Sequence, residues 1–128
     1  MHPVGLLLAL TLAQSTPNEF DLLCTGESLL GAIGEDESTY RRYPLENRIR
    51  VSLTERKFCW NDCEQVYSLV AVDDEFITFN HDRDDIAPQR VNRRTGVFSG
   101  DGIIGTLRSI DRATCHRVAF SGLPARQF

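Results

Sequence analysis

The stretch FCWNDC places Cys59 and Cys63 three residues apart, and Cys24 and Cys115 lie far away on either side. Four thiols could form disulfides, hold a zinc ion or cycle as a redox pair. Redox chemistry fits poorly, because the common dithiol motif has two intervening residues and its reactive thiol needs positive surroundings. Here Asp62 and Glu64 flank Cys63 and oppose a thiolate. Structural zinc usually takes two closely spaced pairs, whereas this chain has one pair and two distant singles. An even count in a short exported chain favours disulfides. A five-residue loop can bring two Cα atoms to about 5.5 Å, so Cys59–Cys63 is the favoured pair, leaving Cys24 with Cys115. In the chain-entropy account the small loop contributes about 2 kcal/mol and the long one about 4.5 kcal/mol.

The densest polar cluster is HDRDD, with His81, Asp82, Asp84 and Asp85. Three carboxylates and an imidazole could hold a divalent cation, and a metal-binding domain or metal-dependent hydrolase is the alternative reading they offer. Calcium loops need a glycine for their sharp turn, and none lies between Asp74 and Gly96; Arg83 also sits inside the cluster. A solvated loop is the favoured reading. Beyond residue 2 the histidines are His81 and His116, and neither accompanies a nucleophile motif. The run SGDGIIG has three glycines but no lysine, and reads as a hairpin turn rather than a phosphate cradle. These features favour a non-catalytic domain without a cofactor. The better pointers to binding are amphipathic aromatics: Trp60, presented within the cysteine loop, and Tyr67. For Trp60 the favoured reading is that it covers the disulfide and closes one end of the core.

These residues need elements to hold them. RIRVSL (48–53) alternates apolar and polar, the period of a half-buried strand. FDLLC (20–24), FCW (58–60) and RATCHRVAF (112–120) read as further strands, and 27–34 as a strand or one helical turn. VYSLVAV and FITF flank the turn signal DDE, and VNR and VFS flank RTG, giving two hairpins. GDG reads as another turn, and EDESTYRRYP as an acidic loop closed by Pro44. No apolar pattern at helical spacing persists over twelve residues. The expectation is an all-β fold: a small antiparallel meander of about eight short strands curled into a barrel or sandwich, with no long helix apart from the leader.

That leader is MHPVGLLLALTLAQSTP, whose ten-residue apolar run, Val4 to Ala13, is too short to span a bilayer but suits a signal-peptide core. Residues 1–13 are expected to be the signal peptide, with cleavage after residue 13 or residue 15. Residues 14–19 are then a flexible start, and 20–128 a single β-rich domain. The 128-residue chain has a net charge of −4. Residues 86–128 carry seven arginines against Asp101 and Asp111, but singly spaced, which argues against a nucleic-acid face.

FDLLCTG, RIRVSL leading into FCWNDC, VNRRTG and the closing C…FSGLP together resemble a group of small exported bacterial proteins. The resemblance runs from about Phe20 to Pro124. It implies export to the periplasm or beyond and a β-rich disulfide-bonded domain, and it carries over no catalytic residue because the group has none assigned. Binding of an envelope protein or a small ligand is the function expected of such a domain, with no membrane span in the mature chain.

Overall fold

The structure, a computed structural model, describes residues 17–80 and 87–124. The expected leader and the cluster His81, Asp82, Asp84 and Asp85 lie outside the described residues. Nine antiparallel strands form one curled sheet, a half-barrel. In chain order they are β1 (Glu19–Ala32), β2 (Arg41–Ser52), β3 (Lys57–Trp60), β4 (Tyr67–Ser68), β5 (Ala71–Val72), β6 (Phe76–Thr78), β7 (Ala87–Asn92), β8 (Val97–Ile104) and β9 (Leu107–Val118). Their spatial order is β4-β3-β2-β1-β9-β8-β7-β6-β5. Every neighbouring pair is consecutive in the chain except β1 and β9, which bring the two ends of the domain together at the centre of the sheet. The two edges, β4 and β5, are also consecutive. Between them Leu69 N–H donates to the Arg56 carbonyl at 2.9 Å and Val70 N–H to the Thr78 carbonyl at 3.0 Å. The chain itself therefore passes directly from one edge of the half-barrel to the other.

Strand alternation sorts the side chains onto two faces. Phe20, Leu22 and Cys24 of β1 turn inward with Ile49 and Val51 of β2, Phe58 of β3, Ile77 of β6, Val91 of β7, Phe98 of β8, and Ala113 and Cys115 of β9; Leu69 and Phe79 complete this core. The register sets Cys24 directly opposite Cys115, with Cα atoms 4.0 Å apart, and the two are disulfide-bonded. Cys59 is bonded to Cys63 across the short loop. The pairing therefore follows the one favoured by loop length.

Long strands carry the sheet beyond this core. β1 continues through ESLLGA to Ala32, paired with β2 on one side and β9 on the other. Glycine weakens a strand interior, yet both Gly26, just before this stretch, and Gly31, within it, have a structural use. A Cβ on Gly26 would lie 2.0 Å from the Arg112 carbonyl, so its absence lets the two strands close up. A Cβ on Gly31 would collide with the Tyr40 ring. Tyr40 instead lies against this position on the outer face, forms a second small core with Leu29 and Ile110, and donates its hydroxyl to the Ala32 carbonyl at 3.0 Å.

The acidic loop shortens to a 3₁₀ turn, Glu37–Thr39, capped by Asp36, whose side chain accepts from Ser38 N–H. RRYPLE, read as loop because of Pro44, is strand. Here β2 has no described partner on its other side, an edge setting in which proline is tolerated. The turn expected at GDG moves to Gly105 and Thr106: Gly100 to Ile104 remain paired with β9, and Gly105 takes the positive φ of 63°. VYSLVAV is divided, since Tyr67 and Ser68 pair with β3 while Ala71 and Val72 pair with β6.

The last described residues cross the outer face. Fully buried Asp21 accepts from Ser121 N–H at 3.1 Å and Ser121 Oγ at 2.6 Å, and pairs with Arg48 Nε at 2.9 Å. Arg50 donates to the Gly122 carbonyl at 3.2 Å. A buried carboxylate is costly unless paired and hydrogen-bonded; these contacts meet that need and dock the segment after β9.

Candidate functional site

Past the aromatic core the inner face becomes polar. Along β9 the inward row passes from Cys115 and Ala113 to Asp111 and Ser109; on β8 it passes from Phe98 to Gly100 and Gly102. These glycines leave the floor without side chains, and the space above them remains open as a cleft of about 520 Å³. Its walls are Tyr67, Ser68 and Val70 at the seam, Phe79 and Asn80 beyond β6, Gln89 of β7, residues 100–104 of β8, and Ser109 and Asp111 of β9. The volume falls within the range of small-molecule sites, about 300–1,000 Å³.

A chain of hydrogen bonds orders the polar wall. Gln89 N–H donates to Asn80 Oδ1 at 2.6 Å, and Asn80 Nδ2 donates to Gln89 Oε1 at 3.5 Å. Gln89 Nε2 reaches Asp111 Oδ2 at 3.4 Å, and Ser28 Oγ donates to Asp111 Oδ1 at 2.5 Å. Gly100 permits this arrangement, because a Cβ there would meet Gln89 Cγ at 2.9 Å. Asp101, between the inward Gly100 and Gly102, turns its side chain to the outer face, where Arg108 grips it through Nε at 2.9 Å and Nη2 at 2.5 Å. That hydrogen-bonded pairing holds the Arg108 guanidinium proton still more tightly than usual.

The structure brings Trp60 and Tyr67 to one region. Trp60 is half-buried, edge-on to Phe58 at 5.6 Å and to Phe98 at 6.2 Å, and 5.7 Å from Phe79. Its ring is thus continuous with the core. Its free edge and Tyr67 flank a second depression over the cysteine loop, lined also by Asn61, Asp62, Glu64 and Gln65. Tyr67 is 42% exposed, packs 5.6 Å from Phe58 and borders both spaces. His116 is exposed on β9 opposite Leu23, at an outward position away from the cleft. Among the described residues no group of His, Cys, Asp or Glu is arranged to hold a metal ion.

Sequence reasoning misses Asn80, Gln89, Ser109 and Asp111. Asn80 and Gln89 are the two ends of the polar segment 80–89 and carry no motif, and Ser28 and Asp111 meet across 83 positions. The one signal present is the inward parity of Ser109 and Asp111 on the strand that carries Cys115. No protein-family model, curated protein or solved structure matches the chain.

Proposed function

We propose that this protein is an exported, non-catalytic binding domain that takes a small ligand in the cleft on its inner face. The observation that carries this reading is the cleft itself. A barrel of this size ordinarily fills its interior with side chains, yet here glycines on β8 keep about 520 Å³ open between an aromatic wall and an ordered amide–carboxylate wall. An apolar body against Tyr67 and Phe79, with a few fixed polar groups to orient it, is the usual composition of a ligand site. Export is supported by the apolar run Val4 to Ala13 and by two disulfides, which persist in oxidising compartments such as a periplasm or the exterior.

The test is a fragment screen followed by amide chemical shifts, on the native protein and on Ser109→Trp, which places an indole in the cleft without touching the apolar core. Ligands should shift Tyr67, Asn80, Gln89 and Asp111 in the native protein and lose these effects in the variant. Hits confined to the outer face, or unchanged by Ser109→Trp, contradict the assignment.

A further inference from the structure

We infer that the ligand is a small organic cation, an ammonium group on an aromatic or apolar body, whose charge pairs with Asp111; this rests on the cleft being a binding site. Two aspartates border the space, but Asp101 alternates with Gly100 and Gly102 and turns its side chain to the outer face, so Asp111 is the one that presents its carboxylate to the cleft. The Asp101 carboxylate is neutralised by both donor nitrogens of Arg108. Among the described residues, Asp111 is reached by the neutral donors Ser28 Oγ and Gln89 Nε2.

No cation of the described residues answers its charge. Arg112, next in the chain, points outward to Glu37, and Arg90 on β7 lies over the Phe76 ring. Arg41 of β2 shares the inner face but is exposed, two strands away and one inward step further along. A carboxylate offers about four acceptor positions, and the two protein donors leave the others to the cleft. A half-buried carboxylate costs free energy until a cation reaches it, so this wall is preorganised for one.

The surroundings match an ammonium rather than a metal ion. A metal ion would need several oxygen ligands converging on one point, and the described wall offers one carboxylate. An ammonium needs one strong acceptor, further carbonyl acceptors and a π face. Asn80 and Gln89 supply side-chain carbonyls beside Asp111, and the exposed Tyr67 ring supplies a π face of the kind that attracts organic cations. Phe79 then contacts the apolar body.

Three probes of one shape separate the charge from the cleft: phenethylamine, 2-phenylethanol and phenylacetate, titrated into the full chain by calorimetry and amide shifts. Phenethylamine should bind at least about tenfold tighter than the alcohol, equivalent to about 1.4 kcal/mol, and phenylacetate should bind weakest. Asp111→Asn, which keeps the shape and the hydrogen bond from Ser28, should erase the preference while leaving alcohol binding in place. If alcohol and amine shift Asn80, Gln89 and Tyr67 equally, or if Asp111→Asn keeps the preference, the cation assignment is wrong although the cleft still binds. If none of the three shifts these residues, both the cation assignment and the binding site fall.

Discussion

Asp73 and Asp111 are both aspartates accepting two hydrogen bonds, yet their consequences differ. Asp73 accepts from the backbone N–H groups of Phe76 and Glu75, each at 2.7 Å, and so fixes the tight turn between β5 and β6. These bonds, that from Phe76 first, hold its carboxyl below the usual aspartate range. Asp36 is lowered in the same way, chiefly by Ser38 N–H. A folded-state value below the unfolded one gives stability that is complete above the unfolded pKa and is lost as pH falls through the folded one. The melting temperature should therefore drop on acidification below about pH 4, and Asp73→Asn should flatten part of that drop in a calorimetric pH series. An identical acid limb in the variant would remove Asp73 from the account. The turn itself is legible in the sequence, because DDE between two β-branched runs is a local signal. The position of Asp111 is not, since its surroundings come from Ser28 and Gln89, which are remote in the chain.

Among the elements, β1 and β9 hold the greatest leverage, being the centre of the sheet and the two ends of the domain. The Cys24–Cys115 bond joins them across a separation of 91 residues, whereas Cys59–Cys63 spans 4. Replacing the first pair by alanines should cost about 4.5 kcal/mol, and the second about 2 kcal/mol, in urea titrations without reductant. Equal losses, or a larger loss from the small loop, would show that chain entropy does not govern this domain. The expectation of strands at RIRVSL and RATCHRVAF holds because each has clean alternation and is buried on one face. Residues 27–34 are ambiguous between strand and helical turn because their glycines weaken a helix without specifying a strand, and it is pairing on both sides that makes 27–32 part of β1. β2 begins at Arg41 for a related reason: Pro44 is costly in a central strand but tolerated along an edge.

At the scale of the whole molecule, the half-barrel has a dry end and a wet end. Phe58, Trp60, Phe79 and Phe98 stack through the first at centroid distances of 5.0 to 6.2 Å. Gly100, Gly102, Ser109 and Asp111 open the second. The all-β architecture and its disulfides can be anticipated from alternation and cysteine count, which are properties of neighbouring residues. The cleft arises from the curl of the sheet and from which strands outlast their partners, and neither is a local property of the chain. The most direct measurement is native mass spectrometry of the protein isolated from the cells that make it, without reductant. We predict a chain lacking its first 13 to 15 residues, oxidised at all four cysteines, and carrying a small-molecule adduct that Ser109→Trp abolishes. A bare protein, or an adduct that survives Ser109→Trp, would contradict the account.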